Sequence, residues 1–585
     1  MHGREKILIA LTLAPIAIAP ALAGPNNGTV VNGNVTIQGQ GTNAVTINQS
    51  SQNAIINWQT FNIGKGESVQ ILMPNASSSE LDRVIGNFGP SQINGSLSSN
   101  GRVFLINPNG ILFGQGAQVN VNSLLATTHD ISNADFMAGR YNFNIPGNPT
   151  ASVVNQGSIT AQTGGFAALV APGVRNTGTI TAWLGRVGLA SANSFALDLY
   201  GDHLIQLNVN DSIAAQVIDV STGKPLKSLV SNEGTLQARG GRVELSAAAA
   251  RQVVDSVINN SGVIEANSIG THNGMIVLSA ATAAGKPAGA PAQTIKIAGK
   301  LSAAGEDPGT TGGTVVISGE NIALNGARID AFGANGGGTV LIGGDWGGGN
   351  PNKGLVSNQS AYLESYAVPN ASNVTVDAAT TINASATVNG NGGKVILWSD
   401  VATAFYGTIL ARGGAQGGNG GFVETSGHDL AFSGTVDTSA PNGKAGDWLL
   451  DPTNLTITAD AANTISRSLE IENVTIFTHS DGSNSSPPGS PSPGEGDITI
   501  NAAITWDKSF TFTIDAFNKI VFNASISGTN GGLVLKAGST ISAFASIDVG
   551  TFDLQSGAWS QIASNLPGAV LPAFSANDFR LSGGS

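Results

Sequence analysis

A unit reading Asn-x-Gly-x-apolar-x-Ala recurs along the middle of the chain and leaves few folds open. It stands at Asn155-Gln156-Gly157-Ser158-Ile159-Thr160-Ala161 and again at 176–182, 232–238 and 260–266, with weaker copies at 325–331 and 407–411. A second unit, Gly-Gly-x-Val followed by alternating apolar residues, begins at Gly240, Gly312, Gly337, Gly392 and Gly420. The two alternate, and Asn155 and Asn176 are 21 residues apart. A period of that length, built from short strands and without regularly spaced Leu, predicts a β-helical solenoid rather than a leucine-rich array. In Gly392 to Ser399, Val395 and Leu397 fall on one strand face, opposite Lys394, Ile396 and Trp398. Gly and Asn are expected at the corners, where they tolerate left-handed backbone. Coils stacked at ~4.8 Å pair every strand with the next. Each Val, Ile or Leu withdrawn from water contributes roughly 1.5–3 kcal/mol. One coil cannot bury its own face, so stability comes from the stack. At roughly 20–25 residues per coil the chain would make on the order of two dozen coils. The expected fold class is all-β: a right-handed parallel β-helix with a capped N-terminal domain and short helical inserts. A β-sandwich would not keep so even a repeat.

The first residues do not belong to this pattern. Arg4 and Lys6 precede an apolar run from Ile7 to Ala19, and Ala21-Leu22-Ala23 follows. A basic start, an apolar core and a small-x-small end read as a secretory signal peptide over 1–23, cut between Ala23 and Gly24. A membrane anchor fits less well, because Pro15 and Pro20 interrupt the run and it is shorter than the ~20 residues a bilayer needs. No later stretch is apolar enough to span a membrane. Among 585 residues only 11% are charged, against ~25% in ordinary soluble domains, and the formal net charge is -12. That balance argues against nucleic acid, which needs a basic stripe, and against docking on anionic lipid. There is no Cys, so neither disulfides nor thiolate metal sites exist. A chain that must stay unfolded while crossing a second membrane cannot be cross-linked where disulfides form readily.

Some segments interrupt the repeats. Ser132-Asn133-Ala134-Asp135 has a capping-box shape and predicts a short helix. Helical inserts are also expected at Ala247 to Val257 and at Ala461 to Glu470. The Pro/Ser/Gly stretch 481–496 reads as a flexible loop. Leu581 to Ser585 resembles the start of another Gly-Gly unit, so a fragment of a longer protein is expected. The divisions are 1–23, 24–260, 261–455 for the repeating stem, and 456–585 for further repeats.

The sharpest motifs lie before the repeats and come in order. They are Asn48-Gln49-Ser50, Trp58-x-x-Phe61-Asn62-Ile63-Gly64, Arg83-Val84 and Phe104-Leu105-Ile106-Asn107-Pro108-Asn109-Gly110-Ile111, closed by 135–143. Gly446-Asp447-Trp448-Leu449-Leu450-Asp451-Pro452 follows far downstream. This series resembles the filamentous haemagglutinin family, the exoproteins of two-partner secretion, whose N-terminal secretion (haemagglutination activity) domain would correspond to 24–260, most closely over 24–143. The resemblance implies a route. An outer-membrane barrel transporter with periplasmic domains recognises the N-terminal part, and the chain crosses unfolded and folds outside a Gram-negative cell, released or held at its surface. It also implies that Asn107, Pro108, Asn109, Gly110 and Ile111 matter for export. Some branches carry a second motif, Asn-Pro-Asn-Leu; here Met73-Pro74-Asn75-Ala76 stands instead, leaving the partner barrel's subfamily open.

The same residues have a plainer reading. Asn107-Pro108-Asn109-Gly110 is a good β-turn, with Pro second and Gly fourth. Leu105, Ile106, Ile111 and Leu112 would be strand core around it. A structural role and direct transporter contact both remain open. Trp58 and Phe61 read as core or cap residues, and Asn48 and Gln49 as structural. The open N-terminal edge needs a cover, for which residues 29–40 are suited. Catalytic patterns are missing. The six His residues have no zinc-ligand spacing, and there is no GxSxG elbow or P-loop. Gly343 to Gly349 reads as a Gly-rich corner rather than a phosphate cradle. No enzyme, cofactor or metal is expected. The function favoured is a filamentous adhesin with an unnamed host or bacterial surface receptor. The alternatives are the stem of a contact-dependent toxin-delivery protein and, behind it, a carbohydrate-active β-helix.

Overall fold

The computed structural model describes residues 24–199, 201, 203–208, 211–252, 254–349, 367–478, 496–563 and 570–585. The leader expected at 1–23, and all but the last residue of the loop expected at 481–496, lie outside the described residues. The rest winds as a parallel β-helix, with one 29-stranded, one 14-stranded and one 5-stranded sheet along its length. A representative turn runs through Ser158–Ala161, Phe166–Ala171 and Gly173–Asn176. The next strand, Thr179–Ala182, then lies in parallel register on the first, Ser158 against Thr179 and Ala161 against Ala182.

The repeated apolar position is the spine of the core. Ile159, Ile180, Leu236, Ile264, Leu301, Ile329, Ile382, Ile409 and Val436 stack one above another, all without solvent contact. The repeated Asn does not do what its corner position suggested. Asn155, Asn176, Asn232 and Asn260 are buried at strand ends, and none has positive φ. The side-chain N–H groups of Asn155, Asn176 and Asn232 donate to the Oδ1 of the next coil's Asn, at 2.8, 2.8 and 2.7 Å. Inside a stack an amide can pair with an identical amide above and below, and this satisfies polar atoms that water cannot reach. The repeated Gly is also set by packing. A Cβ on Gly178, Gly234 or Gly262 would lie 2.1, 2.1 and 2.2 Å from the carbonyl oxygen of the preceding coil's Gly.

The strand Lys394–Phe405 shows both faces at work. Val395 and Leu397 join the interior core, as their alternation predicts. Ile396 and Trp398 point outward, yet they are buried in a second apolar cluster with Leu341 and Trp346. Trp346 comes from the segment Trp346–Gly349, where Gly347 and Gly348 take φ of 57° and 69° to fold back over the sheet. A Cβ on Gly348 would meet the Trp398 ring at 2.7 Å. The glycines therefore seat two indoles.

The helix Asn133–Met137 forms where expected, with Ser132 Oγ accepting the Asp135 N–H. The helix Ala459–Ser468 overlaps the expected 461–470 insert. The helix expected at 247–257 does not form. Arg242–Ala247 stays in the ladder, Ala249–Ala250 pairs with Ser212–Ile213, and Ser256–Asn260 begins the next strand. Ala248, Ala249 and Ala250 are buried, so their small size fits a crossing of chains and outweighs their helix preference. At the N-terminal end Thr29–Asn32 and Val35–Gln38 pair antiparallel with Asn53–Trp58 and Ala44–Gln49, covering the first coil. Among the described residues no helix is long and apolar enough to cross a membrane.

Candidate functional site

The motif-bearing residues gather in the first coils. Residues 107–110 form the expected turn: the Gly110 N–H donates to the Asn107 carbonyl at 3.0 Å, and the Asn109 N–H to Asn107 Oδ1 at 2.9 Å. Asn107 is buried, and its Nδ2 reaches back to the Gly89 carbonyl at 3.1 Å and to Ser91 Oγ at 3.0 Å. Gly110 needs its φ of 109°, since a Cβ there would lie 2.8 Å from the Ser152 carbonyl. Leu105, Ile106 and Ile111 are core, whereas Leu112 is half-buried on the outer face. Pro108 and Asn109 are half-buried at the rim, while Asn107 commits its Nδ2 to the loop before Ser91 and its Oδ1 to the turn itself. That loop carries Phe88, 73% exposed, and Ile85, 54% exposed.

Trp58 and Phe61 are fully buried and meet edge to face, ring centroids 5.6 Å apart. Gln49 is buried, its Nε2 donating to the Ser51 and Gln52 carbonyls, while Asn48 is half-buried in the ladder between Thr36 and Leu72. Gly24 begins the described chain, and its N–H donates to Glu67 Oε2 at 2.9 Å; Ala23 lies outside the described residues. Arg83 holds the outer side together. Its guanidinium reaches Asp130 Oδ1, Asn133 Oδ1 and the Ile131 carbonyl, each at 2.8 Å, and so anchors the start of the 133–137 helix.

Above Arg83 the outer face of these coils has its own apolar cover. Phe104 stacks on Tyr141, and Phe143 stacks on Phe195 with centroids 4.8 Å apart. An antiparallel sheet of Asn142–Phe143, Phe195–Leu197 and Ile205–Leu207 closes over them. His129 is buried against Phe195, and burial pushes its imidazole down to about 4.

The strand Ser79–Val84 places two carboxyls inside the helix, which the sequence reading missed. Glu80 and Asp82 have no solvent contact. Trp58 Nε1 donates to Asp82 Oδ1 at 2.8 Å. Burial pushes Asp82 up to about 7, and burial together with the Asp82 charge pushes Glu80 well above the usual range. The available signal was the alternation Glu80-Leu81-Asp82-Arg83-Val84, where inward-facing Val84 assigns both acids to the inside.

Farther along, an outer groove of about 710 Å³ is floored by Val277 and Val316 and edged by Ile205, His203 and Arg242. Arg242 pairs with buried Glu244. Among the described residues no group of His, Asp and Glu could hold a metal ion.

A family model described as TPS secretion domain matches residues 21–292. The heme/hemopexin-binding protein of Haemophilus influenzae is 33% identical over 298 residues, covering 47% of this chain and 30% of that protein. A second heme/hemopexin-binding protein, from Haemophilus influenzae strain Rd, is 31% identical over 283 residues, 47% of this chain and 29% of its own length. The chain thus matches less than a third of these relatives. The crystal structure of the HMW1 secretion domain from Haemophilus influenzae is similar with a TM-score of 0.56 and 32% identity, covering 73% of this chain and 100% of that one.

Proposed function

We propose that this chain, which belongs to the two-partner secretion exoproteins, is addressed to a dedicated outer-membrane barrel by residues 24–143, crosses unfolded, and acts outside the cell as a rod-shaped adhesin. The observation that carries the reading is the concentration of irregular, motif-bearing residues in the first coils of an otherwise repetitive rod. Asn107 is a positioning residue on this reading: it holds the loop that bears Phe88, while Pro108 and Asn109 stand at the accessible rim. Signal cleavage after Ala23 would turn the Gly24 nitrogen into an ammonium facing Glu67, a charge-assisted pair that anchors the cap. Only 11% of the chain's residues are charged, which suits a spacer carrying binding loops. Haem and haemopexin binding, named for the two relatives, is not carried over, because the match spans only 30% and 29% of their lengths.

Deleting residues 24–143 behind an intact leader tests the address. Export should fall at least tenfold, with the chain degraded in the periplasm; undiminished export would refute it. The exported full chain should bind a host or bacterial surface, and failure to attach to any would remove the adhesin part alone.

A further inference from the structure

The first coils carry an acid pair in their interior, with no cation beside it. Glu80 lies between Ala54 and Val103, and Asp82 between Ile56 and Leu105, in the coils before and after. Across the interior, the inward residues of Ala44–Gln49 and Ser68–Leu72 are Val45, Ile47, Gln49, Val69 and Ile71. None of these carries a charge. Arg83, next to Asp82 in the strand, points to the outer face and is spent on Asp130, Asn133 and the Ile131 carbonyl. Glu80 Oε1 and Oε2, Asp82 Oδ2 and Gln49 Oε1 have no donor among the described residues. These four oxygens are too few for a hard divalent cation, which takes about 6–8. Protons meet the need directly, because each carboxylic acid brings an O–H that can be given to a neighbouring orphan oxygen.

We propose that Glu80 and Asp82 enter the interior as carboxylic acids, so that closing the first coils takes up protons, and that this uptake keeps those coils from closing before the stack behind them can close too. The second half rests on the reading that the chain is exported unfolded. In the unfolded chain both acids are ionised at neutral pH. A carboxyl whose folded pKa is raised stabilises the fold fully only below its unfolded pKa, and that stabilisation is lost as pH rises through the folded value, about 7 for Asp82. The first coils are then weakest at neutral to alkaline pH. The repeating coils from Asn155 onward, with their apolar column and Asn ladder, supply the drive to fold.

The test compares the purified full chain with Glu80→Gln/Asp82→Asn and with Asp82→Asn alone, both keeping an acceptor for Trp58 at position 82. At neutral pH the wild type should show the infrared carbonyl stretch of a protonated carboxyl, reduced in the single variant and further reduced in the double. Between about pH 5 and pH 8 the wild-type urea midpoint should fall more steeply than that of either variant. His129, together with Glu472, Asp447 and Asp515, whose carboxyls burial pushes up, is the same in all three chains, so the difference isolates the pair. Identical infrared bands or parallel pH profiles would overturn the proposal. For export, the double variant should leave a protease-resistant N-terminal fragment in the periplasm and reach the medium several-fold less. Equal export with the infrared difference intact would overturn the delaying role alone. If residues 24–143 prove dispensable for export, the spectroscopic result still stands by itself.

Discussion

The first coils and the stem share one winding but solve the interior differently. From Asn155 to Asn260 the coils that run straight on into the 261–455 stem, and share its columns, stack like on like: Ile or Leu over Ile, Asn over Asn, Gly over Gly. The first coils stack unlike residues. Ala54, Glu80 and Val103 share one column, and Ile56, Asp82 and Leu105 the next. They also need an antiparallel cap and an aromatic cover, whereas these stem columns need only the next coil. Uniform columns make stability roughly additive, coil by coil. Mixed columns place recognition and buried polarity in one stretch, and their stability depends on particular partners.

Three substitutions separate the two regimes, beginning with the largest expected effect. Trp58→Ala empties an indole-sized space and removes the donor to Asp82, so it should cost about 3–5 kcal/mol. Hydrogen exchange should accelerate in the first coils while the stem stays protected; loss of protection throughout would show that the two regions fold as one unit. Gly234→Ala puts a methyl 2.1 Å from the Gly178 carbonyl and should cost roughly 3 kcal/mol, the upper end for overpacking. Its damage should spread to the coils on both sides, measured as exchange at the Asn176 and Asn260 strands. Asn232→Ala breaks the ladder in the middle and leaves an Asn176 N–H and an Asn260 oxygen without their partners, at about 1–3 kcal/mol in urea unfolding. A neutral result would mean that amide pairing contributes nothing net to the stem.

What could be read from the sequence follows the same division. The inward column, the strand alternation at Val395 and Leu397, the Ser132 cap and the 107–110 turn were legible because local spacing determines them. The role of the repeated Asn was not. Its partner is the same residue one coil away, a contact that leaves no local mark. Ala247 to Ala250 misled, since an alanine run favours a helix unless a distant strand, here Ser212–Ile213, claims the space. The aromatic cover stayed hidden because Phe104, Phe143 and Phe195 meet across long separations without periodicity. Glu80 and Asp82 alternate in step with Val84, but only the register shows that Ala54, Ile56, Val103 and Leu105 enclose them.

The Asn ladder has a direction. Each amide gives its hydrogen to the coil ahead and its oxygen to the coil behind, from Asn155 through Asn176 and Asn232 to Asn260. A segment of this stem is therefore a polymer with two unlike ends, one offering an acceptor and the other a donor. Two identical segments meeting head to head or tail to tail would face like groups, and only head-to-tail joining continues the pattern. Duplication of one coil in the gene would preserve every such contact, so the rod can change length between generations without a change of design.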